Sequence, residues 1–172
     1  MTIAQYFQTL TGFPPRQFQL QTIHKLLNRQ DVLLRAPTGS GKTETAIAPF
    51  LFAKTLQRDF PNKLIYVVPL RTLANSLRQR AETLARTWET FTPPSRPLVV
   101  TLQTGENPED PRFEGDIVFC TIDQMLSSFL NIPYSVGVLP MLTLGRFLPP
   151  IWSLTNCTYS TQSVPLLPSA VT

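Results

Sequence analysis

Apolar positions along the first part of the chain recur at two periods, and the alternation between them lays out the elements. Four short continuous apolar runs read as strands: Asp31–Arg35, Lys63–Val68, Leu98–Leu102 and Asp116–Cys120. Such runs suit strands covered on both faces. Between them the spacing is helical. Leu20, Ile23, Leu26 and Leu27 predict a helix from Arg16 to about Asn28. Ala46, Ile47, Phe50 and Leu51 fall on one side of a helix from Glu44 to Gln57, which Pro49 should kink or end early. Leu73, Leu77, Ala81, Leu84 and Trp88 define a helix reaching about Trp88. Met125, Leu126, Phe129 and Leu130 form the expected inner face of a last helix, which Thr121 can cap. Phe7–Pro15 reads as a lead-in, closed to helix by Pro14-Pro15. Strands alternating with helices imply a parallel, doubly wound α/β sheet. Right-handed crossovers then bring every strand-to-helix junction to one rim.

One junction carries recognisable chemistry. Ala36-Pro37-Thr38-Gly39-Ser40-Gly41-Lys42-Thr43 follows an apolar run and opens a helix, the context a phosphate-binding loop requires. Gly39 and Gly41 let the backbone turn its N–H groups toward phosphate oxygens, and the helix N-terminus adds positive potential. Lys42 would reach the β- and γ-phosphates as a point charge, and the Thr43 hydroxyl would ligate Mg²⁺. Ala36 replaces the usual first glycine. The plainer alternative is a helix N-terminus with a glycine turn and no ligand. Arg71 is singled out by its junction position, where open sheets bind ligands. Arg78, Arg80 and Arg86 either join it or form an ordinary solvated face.

Composition narrows the classes. The 172 residues suffice for one ordinary core, and a net charge of +4 permits an anionic partner without demanding one. Cys120 and Cys157 form no disulfide framework or metal spacing, and His24 has no second ligand nearby. No run is long and apolar enough to cross a bilayer and no signal peptide opens the chain, so it reads as cytoplasmic, with no membrane partner. Past Gly137 the only charge is Arg146, and five prolines interrupt the run. Residues 1–137 are therefore read as one domain, and 138–172 as an aberrant, poorly ordered tail.

Arg16-x-Phe18-Gln19, the phosphate loop, and Pro69-x-Arg71-x-Leu73-Ala74 together resemble the early motifs of superfamily 2 helicases, where alanine at the first loop position is usual. Thr121-Ile122-Asp123-Gln124-Met125-Leu126 and the segment from Ser127 to Tyr134 resemble the CRISPR-associated helicase of type I systems, subtype I-D. The resemblance implies a P-loop, RecA-like first lobe with flanking helices, here incomplete. It implies that Gln19 reads adenine, unless it is simply a polar residue of the first helical turn. Thr38, Gly39, Ser40, Gly41, Lys42 and Thr43 would hold ATP and Mg²⁺. Pro69, Arg71, Thr72, Gly105 and Thr121 would touch the backbone of single-stranded DNA. Subunits of a CRISPR effector complex are further implied partners. The alternative is a non-catalytic nucleotide- or DNA-binding fragment, or one that docks on such subunits.

An Asp-Glu pair ending a further strand, and a second lobe with arginine fingers, complete such motors. Neither is found in residues 1–172. Glu109-Asp110 has the reverse order and lies in a proline-flanked loop. Back-translating Trp152 to Thr158 and reading one base earlier permits Val-Phe-Asp-Glu-Leu-His, an acidic box where one is expected. This suggests a one-base frame change near Val136 to Pro140.

Overall fold

The computed structural model describes residues 1–56, 60–130 and 151–155. Its elements run α1 (Ile3–Thr11), α2 (Gln17–Leu27), α3 (Lys42–Thr55), β1 (Lys63–Val68), α4 (Arg71–Phe91), β2 (Val100–Gln103), β3 (Ile117–Thr121), α5 (Ile122–Leu130) and β4 (Ile151–Thr155). The strands form one parallel sheet in the order β2-β3-β1-β4. The α/β class and parallel sheet expected from the hydrophobic pattern are therefore present, and β1 has the expected bounds.

Pleating sorts the strand residues between two cores. Leu64, Tyr66, Val68, Leu102, Ile117 and Phe119 face the larger core with α1 to α4. Ile65, Val67, Val118 and Cys120 face a thinner one, closed by Phe113 and partly by Met125. α3 runs through Pro49 without ending. A proline inside a helix costs about 3 kcal/mol or more. Ile47, Phe50, Leu51 and Phe52 are almost wholly buried, at roughly 1.5–3 kcal/mol each, so burial outweighs the break.

Four expectations are corrected. α1 occupies part of the supposed lead-in. Thr2 and Gln5 form a reciprocal capping box, and Gly12 closes the helix at φ +78°. Tyr6 packs on Phe52 and Trp88, with ring centroids 5.7 and 5.5 Å away, so tertiary aromatic contacts hold the short helix. Asp31–Arg35 forms no strand among the described residues, and Leu33 is 99% exposed. No described strand lies beside it to complete a ladder. On α5, Leu126 and Leu130 face solvent, while Gln124 is buried and Met125 packs inward. The helix is thus rotated away from the face its apolar spacing suggested. Thr121 ends β3 and does not cap α5, since its hydroxyl has no hydrogen-bond partner among the described residues.

The tail expected from 138 to 172 lies outside the described residues except for β4. That strand pairs with β1 in register Lys63↔Ile151 to Val67↔Thr155.

Candidate nucleotide and nucleic-acid site

The phosphate loop keeps the backbone its glycines were expected to provide. Gly39 and Gly41 have φ of +76° and +82°. A Cβ on Gly41 would approach Gln19 Nε2 to 2.7 Å, so a side chain there would be strained by the backbone and would have to displace the Gln19 amide. Ser40 N–H donates to the Pro37 carbonyl at 3.3 Å, closing the turn before α3. Thr38 and Gly39 are exposed, whereas Ser40 is buried with its hydroxyl unpartnered among the described residues. Lys42 Nζ donates to the Ala36 and Pro37 carbonyls at 2.8 and 2.7 Å, which holds the ammonium over the loop.

Gln19 is turned into this loop. Its Nε2 donates to the Ser40 and Gly41 carbonyls at 3.3 and 3.4 Å, and its Oε1 accepts from the Arg16 N–H at 2.8 Å. The amide therefore ties the start of α2 to the glycine turn, a bracing contact that the sequence did not disclose. Thr43 is buried and hydrogen-bonded to the Tyr66 hydroxyl. Burial raises the Tyr66 pKa, with the Thr43 hydrogen bond opposing it. Next to Thr43, Glu44 pairs with Arg80 of α4.

Parallel pairing brings the carboxyl ends of β1, β2 and β3 to one rim. Side-chain contacts tie these ends together. Gln103 Nε2 donates to Gln124 Oε1 at 3.0 Å. Arg71 at the start of α4 reaches Glu106, just beyond Gly105, at 2.5 Å. Pro69, Arg71, Thr72 and Gly105 lie along this rim and are exposed there. Thr121 is not: it is 2% exposed, so in this conformation its hydroxyl is closed to an outside ligand.

Three of the four α4 arginines, Arg71, Arg78 and Arg80, are paired with carboxylates, whereas Arg86 lies exposed on the solvated face. Arg78 pairs with Glu82 and, through both terminal nitrogens, with Glu109. Asp110 accepts from Thr101 Oγ1 and from the Glu114 and Gly115 N–H groups at 2.7–2.8 Å. The Glu109-Asp110 pair is thereby accounted for as loop scaffolding. Asp116 takes two hydrogen bonds from Arg96 at 2.7 Å each. Among the described residues no cluster of His, Cys, Asp and Glu suits a metal by protein ligands alone, and no helix is long and apolar enough to cross a membrane.

The residues present suit a triphosphate with a divalent cation. Positive-φ glycines, an ammonium and a buried, unpartnered serine hydroxyl meet in one turn.

The DEAD/DEAH box helicase family matches residues 16–137. The chain is 37% identical over 79 residues to the CRISPR-associated nuclease/helicase Cas3 of Streptococcus thermophilus, covering 44% of this chain and 8% of that protein. It is 35% identical over 111 residues to the CRISPR-associated helicase Cas3 of Thermoproteus tenax, covering 62% and 19%. In structure it resembles the Mycobacterium smegmatis helicase Lhr bound to ssDNA and AMP-PNP, with a TM-score of 0.55, 25% identity, and coverage of 76% of this chain and 18% of that one. It thus corresponds to a small part of each relative. With the glycine turn, its lysine and the shared rim in place, the chain belongs to the DEAD/DEAH box helicase family.

Proposed function

We propose that this chain is the ATP-binding part of a CRISPR-associated DNA helicase of subtype I-D, and that by itself it binds MgATP and single-stranded DNA without hydrolysing ATP. The observation that carries the reading is a positive-φ glycine turn with its lysine, followed by a helix that Thr43 and Glu44 tie to β1 and α4, the elements next to which Pro69, Arg71 and Thr72 are exposed. Gly39, Ser40, Gly41, Lys42 and Thr43 hold the triphosphate and Mg²⁺, with Thr38 at the loop's open side. The cation's chemistry is to neutralise charge on the phosphate oxygens. Arg71 and the exposed backbone at Gly105 suit phosphates read without regard to base. The adenine role of Gln19 requires its amide to serve the base as well as the loop. The DNA role of Thr121 requires its junction to open.

Hydrolysis in such motors needs an acidic pair to hold the cation and position water. No Asp-Glu sequence occurs in residues 1–172. We attribute this to a one-base frame change. The alternative frame permits Asp at Leu154-Thr155 and Glu at Thr155-Asn156. Sequencing the gene tests it: a stop codon across that region in the alternative frame refutes the idea.

For the binding function, titration with a fluorescent MgATP analogue should give saturable binding that Lys42→Ala removes, with no DNA-stimulated phosphate release. Robust DNA-stimulated hydrolysis, or unchanged affinity in Lys42→Ala, overturns the reading.

A further inference from the structure

The first turn of α3 is bound by consecutive residues to the two elements that flank the exposed rim. Thr43 is hydrogen-bonded to the hydroxyl of Tyr66 on β1. Glu44 is ion-paired to Arg80 on α4. β1 leads directly into Pro69, and α4 begins at Arg71. Tyr66 also stacks on Phe119 of β3 at 5.1 Å, two residues before Thr121.

The Glu44 end of the ion pair is unusual. The residue is 8% exposed, and its second oxygen, Oε2, is buried with no hydrogen-bond partner among the described residues. That oxygen lies 3.6 Å from where a Gly41 Cβ would stand, so it faces the glycine turn. An exposed ion pair is weak and easily rearranged. A buried carboxylate with one partner is not, because losing that partner leaves an uncompensated charge. The Glu44–Arg80 contact therefore has one end fixed beside the phosphate loop and the other on the helix that presents Arg71. The Arg80 side chain is 57% exposed, so the contact links the turn to α4 through its buried Glu44 end.

We infer that Thr43–Tyr66 and Glu44–Arg80 form a seam that couples nucleotide binding at the phosphate loop to single-stranded DNA binding at the rim, with Glu44, Arg80 and Tyr66 as positioning residues. This rests on the functional reading above. Coupling between two sites is reciprocal and typically changes affinity about 5- to 150-fold.

The test is a coupling measurement on the full chain. The affinity for a non-hydrolysable MgATP analogue is measured with and without a saturating oligothymidine, and the affinity for oligothymidine with and without the analogue. The wild type should show the same factor both ways, at least about fivefold. Glu44→Gln and Arg80→Gln should each bring the factor close to one, leaving each ligand's separate affinity within about threefold. The double variant should lose nothing more. Tyr66→Phe, which keeps the stack on Phe119, should lower the factor in part. Gln79→Ala, adjacent on α4, should keep it. If Glu44→Gln does not fold, as judged by thermal unfolding, Tyr66→Phe and Arg80→Gln decide the matter. A wild type that binds both ligands without coupling overturns the seam and leaves the functional reading intact. So do variants that keep the wild-type factor. A wild type that binds neither ligand overturns both.

Discussion

Asp31–Arg35 and Lys63–Val68 are both short apolar runs that lead into the candidate site, yet they meet opposite fates. β1 has a parallel strand on each side, and Leu64 to Val68 are all buried. Asp31–Arg35 has no strand beside it among the described residues, and exposed positions alternate with half-buried ones along it. Its apolar content alone does not make a strand. A strand needs a neighbour to take its N–H and C=O groups, and a layer to cover its side chains. The phosphate loop hangs from the run that lacks both, so its support comes from elsewhere: Gln19 behind the turn, and the Thr43 and Glu44 contacts after it.

The sharpest way to break this contrast is to truncate both runs. Ile65→Ala, at a fully buried site, should cost about 2–5 kcal/mol in urea unfolding. Leu33→Ala should stay within about 0.5 kcal/mol. Similar losses at the two sites would mean that Leu33 is covered in solution.

A second measurement probes the buried neighbour of β1. Cys120 is in register with Val67, and burial, with Asp123 adding to it, pushes its pKa from 9.0 up to about 12. The folded state thus favours the neutral thiol. Stability from this group is complete below about pH 9 and falls as pH rises toward 12, because the unfolded chain releases the proton first. A drop on the order of 2 kcal/mol between about pH 9 and 11 is expected from this thiol, and Cys120→Ala should remove that part, leaving the fall above about pH 10 that the raised Tyr66 pKa adds. A flat wild-type profile would show that the thin face of the sheet admits water.

Lys42→Ala asks whether a loop hung from an unpaired run still grips phosphate. At least a tenfold loss of MgATP-analogue affinity is expected, about 1.4 kcal/mol, with no change in unfolding midpoint.

The smallest effect concerns the rim. Glu106 holds Arg71, with both side chains largely open to solvent, so the pair is worth at most about 1 kcal/mol. Glu106→Gln should tighten oligothymidine binding about two- to fivefold at low salt, while Arg71→Ala should weaken it. Equal affinities in wild type and Glu106→Gln would remove Glu106 as a competitor for Arg71.

Much of the site is legible in the sequence, because local chemistry writes it. The glycine turn, Lys42, the β1 bounds and the rim position of Arg71 follow from residue types and from the shift between two periodicities. α1 is equally written, in the Thr2–Gln5 box, the spacing of Ile3, Tyr6, Phe7 and Leu10, and the left-handed Gly12, although the Pro14-Pro15 stop just beyond it masks these signals. The rim's internal pairing is not legible. Arg78 meets Glu109 across 31 positions of chain, and no local pattern records such a contact.

What the sequence determined by itself is the chemistry of one turn and the order of the elements around it, since both depend on neighbouring residues. Which apolar runs became strands, which face of α5 turned inward, and which carboxylate met which arginine were decided only in three dimensions. Burial and pairing depend on what the rest of the chain brings alongside, and a run such as Val32-Leu33-Leu34 cannot supply its own partner.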